Sequence, residues 1–468
     1  MISKALSVGG PLNAFQKVML QWSALHPYNA THTYKIAGSL RANDLRAAIR
    51  DTYLAHGLGI VHLSPDGQSF RHELDQAPEI AVLAGGAQPE NCLAEHVTRE
   101  LNRSFERPTC RPFRFNAMET DRRFHYITLC YDHWVADSTA ARMLMRNILG
   151  RYLGLPIPEN DFPVQAYAGT YREVFRRALS GPRLALAAAR SLRQWNRNRK
   201  AWQVAYWSST QWAVNHHEYQ TIPGTVARLH QFARSLDATV HDVILAALGR
   251  AMAQSMPSRG KDRELALGSI VDTRAVAEED LSRTFGTFLS YYMVRNKPDP
   301  SAGLDEMTRR VAALTRPIKQ RRGYLDSLVN MQFINMLWPW LPESVKPYFM
   351  RGVLPMTAGV SNVLLREPWI DRNRDVILDY SRAASTGPGL PLVLTPTTLG
   401  DQMNFGVTYR VAGFPRAKID AVMDSFLQQI EHPNKASRGG MPRRKAEACP
   451  LEHAVLPSRQ PVLDGAVA

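Results

Sequence analysis

The stretch Phe124-His-Tyr-Ile-Thr-Leu-Cys-Tyr-Asp-His-Trp-Val-Ala-Asp-Ser-Thr-Ala-Ala-Arg-Met-Leu-Met145 changes its period in the middle. His125 to Tyr131 is mostly β-branched or aromatic and reads as a strand. Ala140, Met143, Leu144, Ile148 and Leu149 recur at helical spacing. Between the two lie His133 and, four residues on, Asp137. An imidazole titrates near neutral pH, and a rigid strand end can aim it into a cleft, so the position suits a general base. On spacing alone the pattern reads more simply as a packed core histidine followed by a helix N-cap. The rest of the chain has to decide.

With 468 residues the chain exceeds one ordinary core, and two domains or a pair of lobes is the expectation. An apolar fraction of 45% and a charged fraction of 21% are those of a globular protein. No run approaches the length of a membrane span; the most apolar stretch, Met331 to Leu341, is interrupted by Gln, Asn and Pro. The N-terminus lacks the apolar core of a signal peptide. Cys92, Cys110, Cys130 and Cys449 show no CxxC spacing, which fits a reducing cytoplasm and argues against a zinc site; no metal is expected. Cys130 reads as a small apolar filler. The net charge of +15 is uneven: Tyr171 to Lys200 carries nine Lys/Arg against one Glu. Arg183, Arg190, Arg193, Arg197 and Lys200 fall on one helical face, with Ala188, Leu192 and Trp195 towards another. Such a stripe suits an acidic partner: an acyl carrier protein, an anionic lipid, nucleic acid or the phosphates of coenzyme A. It also suits a merely solvated face. Nucleic acid has only Trp195 and Trp202 as extra support and is set aside.

Residues 1 to 165 read as an α/β alternation, with helices over Leu12 to Leu25, Ser39 to Ala55 and Asn91 to Asn102. Strands are expected at Thr31 to Ala37, Gly59 to Leu63, Glu79 to Leu83, Arg111 to Ala117 and Arg123 to Tyr131. Residues 166 to 222 are basic and rich in Trp, and read as a helical connector. Within it His216-His217-Glu218 reads as surface, since adjacent histidines cannot share one helical ligand site. Residues 223 to 433 form a second unit. It opens with a short strand, Thr225 to Leu229, and a helix, Ser235 to Met256. Strand-like runs follow at Leu265 to Val271, Phe285 to Val294, Gly359 to Leu365, Asp375 to Tyr380, Leu390 to Pro396 and Met403 to Arg410, before a helix at Pro415 to Ile430. Residues 434 to 468 lose periodicity and are expected to be disordered.

Several short signals then fall in one order. Asp132-His133-Trp-Val-Ala-Asp137-Ser138 resembles the His-His-x-x-x-Asp-Gly signature of the chloramphenicol acetyltransferase-like superfamily, which includes non-ribosomal peptide condensation domains and polyketide-associated acyltransferases. Ser104-Phe-Glu-Arg-Pro-Thr-Cys-Arg-Pro-Phe-Arg-Phe resembles the segment before the active-site strand. Ala238-Thr-Val-His-Asp-Val-Ile-Leu-Ala-Ala-Leu resembles the helix opening the second lobe. Ile270-Val-Asp-Thr-Arg274, with Phe285-Gly-Thr-Phe-Leu-Ser290, resembles the Arg…Gly-x-Phe-x-Asn region. Val360-Ser-Asn-Val and Asn404-Phe-Gly-Val-Thr-Tyr409 fit the last strands. The match covers roughly residues 10 to 432.

The resemblance implies an α/β (α+β, two-layer) fold with two chloramphenicol-acetyltransferase-like lobes in a V around a central substrate tunnel. It implies that His133 is the general base for acyl transfer from a carrier-protein or coenzyme A thioester to a small-molecule alcohol or amine. Asp137 would be structural, paired with Arg274. Asp132, Ser138, Ser290 and Asn362 would line the tunnel. No cofactor is expected to be tightly bound; acyl-CoA or a phosphopantetheinyl acyl carrier protein would be the co-substrate. A cytoplasmic monomer docking its carrier on Arg183, Arg190, Arg193, Arg197 and Lys200 is expected. Three departures stand out: Asp132 replaces the first His, Ser138 the Gly, and Ser290 the Asn of many peptide-forming members. They motivate an alternative, a catalytically degenerate docking or scaffold module for a carrier protein.

Overall fold

A computed structural model of the chain describes residues 9–75, 80–120, 123–157, 174–176, 181–198, 200–204, 212–255, 263–297, 299, 301–361 and 368–437. In the first part the order is β1 (Gly9–Pro11), α1 (Ala14–Leu25), β2 (Asn29–Ala37), α2 (Ala42–His56), β3 (Gly59–Leu63), β4 (Ser69–Leu74), β5 (Ile80–Ala84), α3 (Pro89–Asn102), β6 (Thr109–Cys110), β7 (Phe113–Glu119), β8 (Phe124–Asp132) and α4 (Ser138–Leu153). Then come α5 (Gly181–Asn198), β9 (Val214–Gln220), α6 (Thr225–Ser235), α7 (Val240–Gln254), β10 (Leu265–Asp272), β11 (Leu289–Asn296), α8 (Leu304–Gln320), α9 (Asp326–Leu337) and α10 (Lys346–Val353). The chain continues through β12 (Ala358–Val360), α11 (Pro368–Arg372), β13 (Ile377–Ala384), β14 (Leu392–Leu399), β15 (Gln402–Arg410), α12 (Arg416–Glu431) and α13 (Pro433–Ala436).

β8 is buried along nearly its whole length because strands flank it and helices cover the sheet. It is the middle strand of a five-stranded sheet of order β13-β2-β8-β7-β5. A six-stranded sheet has the order β11-β10-β12-β14-β15-β9, and a four-stranded sheet the order β1-β4-β3-β6. The fold is thus mixed α/β. Helix α4 packs on α2, and α7 sits between α8 and α12. One large core joins both parts of the chain, from Phe15 and Ile127 to Leu248 and Phe405.

The sequence reading meets several corrections here. β9 lies inside the expected helical connector, yet it pairs with β15 as an edge of the six-stranded sheet. His216 is therefore fully buried on a strand, its Nδ1 3.1 Å from Thr408 Oγ1, and not a surface residue. Thr225 to Leu229 opens a helix rather than a strand. Leu229, Phe232 and Ala233 form its buried face at helical spacing, after Gly224 turns the chain at φ +76°. The helix expected at Ser235 to Met256 is α7, and it starts later, at Val240. Asp237 precedes it at φ +50°, and Thr239 with Asp242 forms a reciprocal capping box that starts α7. Asp375 to Tyr380 is strand, but β13 leaves its sequence neighbours and pairs antiparallel with β2. In the apolar stretch Met331 to Leu341, Phe333 and Trp340 are exposed, whereas Met331 is buried. Helix α13 occupies the start of the expected tail, whose residues from 438 lie outside the described part. β1, β4 and β6 are too short or too polar to have been read as strands.

Ile127, fully buried in β8, tests the centrality of this strand. Ile127→Ala is expected to cost about 2–5 kcal/mol in urea unfolding, as other large core truncations do. A cost below about 1 kcal/mol would show that β8 is not packed from both faces.

Candidate functional site

The strand-to-helix turn after β8 is fixed at each residue. Asp132 pairs with β2 opposite Asn29, and the backbone N–H of His133 donates to Tyr28 O at 3.2 Å. Trp134 is buried, and its carbonyl accepts from Thr287 Oγ1 at 3.0 Å and Gln16 Nε2 at 3.2 Å. Asp137 adopts an extended backbone and caps α4: its Oδ1 accepts from the Ala140 N–H at 2.9 Å. The N-cap half of the simpler reading is therefore true. Its other carboxylate oxygen is used across the chain.

That second oxygen, Oδ2, accepts from Arg274 Nη1 at 2.6 Å and from the Phe288 N–H at 2.9 Å. Arg274 also reaches Asp272 Oδ2 at 3.0 Å and the carbonyls of Thr284 and Gly286 at 3.2 Å, and lies over the Phe288 ring. Gly286 sits at φ +145°, where a side chain is disfavoured, and its carbonyl also accepts from the Asp137 N–H at 3.0 Å. Burial works against the Arg274 charge, but Asp137 and then Asp272 outweigh it and its pKa is raised. Thr139 Oγ1 donates to Asp272 Oδ2 at 2.8 Å, so α4 is tied to β10 a second time.

His133 is half-buried. Its ring stacks on Tyr28 at 5.4 Å and 12°, and meets Tyr131 edge-on at 5.7 Å. Nδ1 lies 3.2 Å from the Ala136 carbonyl. A carbonyl can only accept, so Nδ1 carries the proton and Nε2 presents a lone pair. Burial holds its pKa below the ordinary 6.5, so the ring is neutral at physiological pH.

The other expected tunnel residues have varied settings. Asp132 is buried and used internally: Oδ2 accepts from Arg107 Nη2 at 2.6 Å and Trp134 Nε1 at 3.0 Å, and burial raises its pKa. It holds the turn. Ser138 begins α4, and its Oγ accepts from Arg382 Nη1 at 2.7 Å. Ser290 is buried on β11 and its Oγ has no hydrogen-bond partner. Asn362 lies outside the described residues. Cys130 is buried in β8, and burial pushes its thiol pKa up, so it is no nucleophile at neutral pH.

The basic helix differs from expectation. The buried ridge of α5 is Ala187, Ser191 and Asn198, with Trp195 half-buried, while Leu192 is 65% exposed. The apolar face read from the sequence is therefore mostly solvent-facing. Arg190 is spent within the chain on Asp326 at 2.8 Å, and Trp195 Nε1 donates to Gly352 O at 2.7 Å. These contacts seat α5 on α9 and α10. Arg193, Arg197 and Lys200 are exposed, and the Arg183 side chain lies outside the described part.

A cavity of about 570 Å3 opens beside the site. Ala233, Val240, Ile270, Val271 and Tyr292 give it an apolar wall, and Asp272, the partner of Arg274 and Thr139, is part of its lining. His230, Arg234 and Lys319 add basic groups to that lining. Among the described residues no group of His, Cys, Asp and Glu could hold a metal ion, and no helix is long and apolar enough to cross a membrane. Sequence reasoning missed Tyr28, Arg107, Asp272 and Arg382. Only Asp272, two residues before Arg274, carried a local signal.

Removing either member of the Asp137–Arg274 pair leaves a buried charge uncompensated. Asp137→Asn and Arg274→Met are each expected to cost about 3–5 kcal/mol in denaturant unfolding. The double variant should cost clearly less than their sum; strict additivity would show that the two groups are not coupled.

No protein-family model matches the chain, and no curated protein matches it. Solved structures do. The first condensation domain of the calcium-dependent antibiotic synthetase, in complex with a substrate analogue, superposes with a TM-score of 0.68 at 13% identity, covering 92% of this chain and 97% of that one. The condensation domain of the monacolin K polyketide synthase MokA gives 0.61 at 12% identity, over 91% and 97%. The epimerization domain from the third module of tyrocidine synthetase B gives 0.63 at 13%, over 93% and 98%. With near-complete coverage on both sides, the α/β architecture around His133 is the condensation-domain fold.

Proposed function

We propose that the chain is a condensation-type acyltransferase, moving an acyl group from a carrier-protein or coenzyme A thioester to a hydroxyl or amine in natural-product or lipid assembly. The observation that carries this reading is the state of His133: a neutral ring, its Nδ1–H tied to the Ala136 carbonyl, with a lone pair free at Nε2. The condensation-domain fold supports it.

Nε2 takes the proton of the acceptor O–H or N–H as that atom bonds to the thioester carbonyl carbon. The tetrahedral adduct collapses, the C–S bond breaks, and the imidazolium returns the proton to the departing thiolate. Ester or amide and free thiol are the products, with no covalent enzyme intermediate. Asp137 stays clear of the chemistry and holds the turn through Arg274. The cavity bounded by Asp272 suits the donor arm, whose phosphate would meet Arg234 and Lys319 while the thioester chain runs along Val240 and Val271.

His133→Ala is expected to lower kcat/KM for transfer from acyl-CoA or acyl carrier protein by about 10²–10⁴-fold. Unchanged transfer would remove His133 as the base. Burial lowers its pKa, so the wild-type acid limb of kcat/KM should fall off below pH 6.5, and the limb should vanish from any residual activity of the variant.

A further inference from the structure

The two buried arginines beside the motif are balanced very differently. Arg274 has two carboxylates, Asp137 and Asp272. Arg382, on β13 and only 3% exposed, has no carboxylate partner among the described residues. Its guanidinium donates only to neutral oxygens: Ser138 Oγ at 2.7 Å, Ser361 O at 2.9 Å and Pro396 O at 2.8 Å. Its Nε is buried with no partner among the described residues. A guanidinium removed from water without a counter-charge is costly, and the fold tolerates it here at the first residue of a helix that belongs to the candidate site.

The surroundings add to the positive potential. Ser138 is the first residue of the sixteen-residue helix α4, whose N-terminus carries a partial positive charge. Arg142, one turn on, acts on Arg382 as a like charge. His32 lies opposite Arg382 in the β13–β2 register, and burial followed by Arg382 keeps it neutral. Its ring nitrogens face the hydroxyls of Tyr380 at 2.7 Å and Tyr131 at 3.4 Å. The Tyr131 ring is 5.7 Å from both His32 and His133, so the unbalanced cation sits one aromatic residue away from the base.

Building on the acyl-transfer reading of His133, we propose that Arg382, Ser138 and the first turn of α4 bind a carboxylate carried by a substrate at a distance from its reacting atom. With Nη2 committed to two carbonyls, Arg382 keeps its Nε–H and one Nη1 hydrogen for a carboxylate, and Ser138 Oγ can rotate to donate as well. The carboxylate belongs either to the acyl chain, as in a dicarboxylic monothioester, or to a hydroxy- or amino-acid acceptor. Serine at position 138 supplies a hydroxyl to this site that glycine cannot.

Calorimetric titration of the full chain with succinate, and with its uncharged diamide as control, tests the anion site without requiring turnover. Succinate alone should bind. Arg382→Met should weaken it by about tenfold to a hundredfold, the size of a lost charge-assisted bond, and Arg382→Lys should recover part of the loss. Ser138→Ala gives a second, milder comparison if Arg382→Met does not fold. Equal responses to succinate and the diamide, none included, or unchanged succinate binding by folded Arg382→Met, overturn the proposal. Transfer assays then assign the source: succinyl-CoA against butyryl-CoA with a neutral alcohol, and a hydroxy acid against its amide with butyryl-CoA. In the arm that carries the anion, the charged-to-neutral ratio of kcat/KM should fall in Arg382→Met. Succinate binding that depends on Arg382, with no turnover of any pair, would sink the acyl-transfer reading and leave the anion site standing.

Discussion

The Arg274 guanidinium is the joint on which the rest of the site depends. It reaches Asp137 and Asp272 with one nitrogen and the carbonyls of Thr284 and Gly286 with another. Asp137 in turn caps α4 and accepts from the Phe288 N–H. One buried group therefore locks the start of a helix from one sheet to the β10–β11 connection of another. In a low-dielectric interior such a pair is stable only when its charges are closely hydrogen-bonded, as both Nη nitrogens of Arg274 and both carboxylate oxygens of Asp137 are. The joint uses charge to position backbone, and it leaves the His133 imidazole without a hydrogen-bonded carboxylate.

That last point shapes the electrostatics of His133. A carboxylate on Nδ1 would stabilise the protonated ring and raise its pKa. The Ala136 carbonyl fixes the same tautomer with a weaker pull, and burial against Tyr28 and Tyr131 keeps the ring neutral. Asp132, the residue before it, is held by Arg107 and Trp134 through its Oδ2. Asp137 and Asp132 both pull the His133 pKa up through space, and burial outweighs them.

What the sequence made legible follows the range of the forces involved. The switch from β8 to α4 is local periodicity, and it was readable to within a residue or two. Arg274 was readable only through resemblance, since a partner 137 positions away leaves no local trace. Thr225 to Leu229 misled because five residues of alternating type look alike as strand or helix; the buried face that decides the matter continues to Phe232 and Ala233. The apolar face of α5 misled for the opposite reason. Its periodicity was real, but polar anchors, Arg190 on Asp326 and Ser191 on the Asp326 carbonyl, seated a different ridge. Arg382 stands in the small-residue run Ser-Arg-Ala-Ala, where nothing marks it; its importance comes from the strand that lies beside it.

That strand, β13, has a consequence for how the molecule is made. Ala30 pairs with Ala384 and Ile36 with Ile377, so one edge of the sheet that leads into His133 is completed by residues synthesised some 350 positions later. Until then β2 offers a bare edge, an open template for any other strand. Slow, long-range closure of this kind is where chains aggregate or need a chaperone. The β13–β2 seam therefore leaves one edge of the five-stranded sheet open during synthesis until residue 384 has been made.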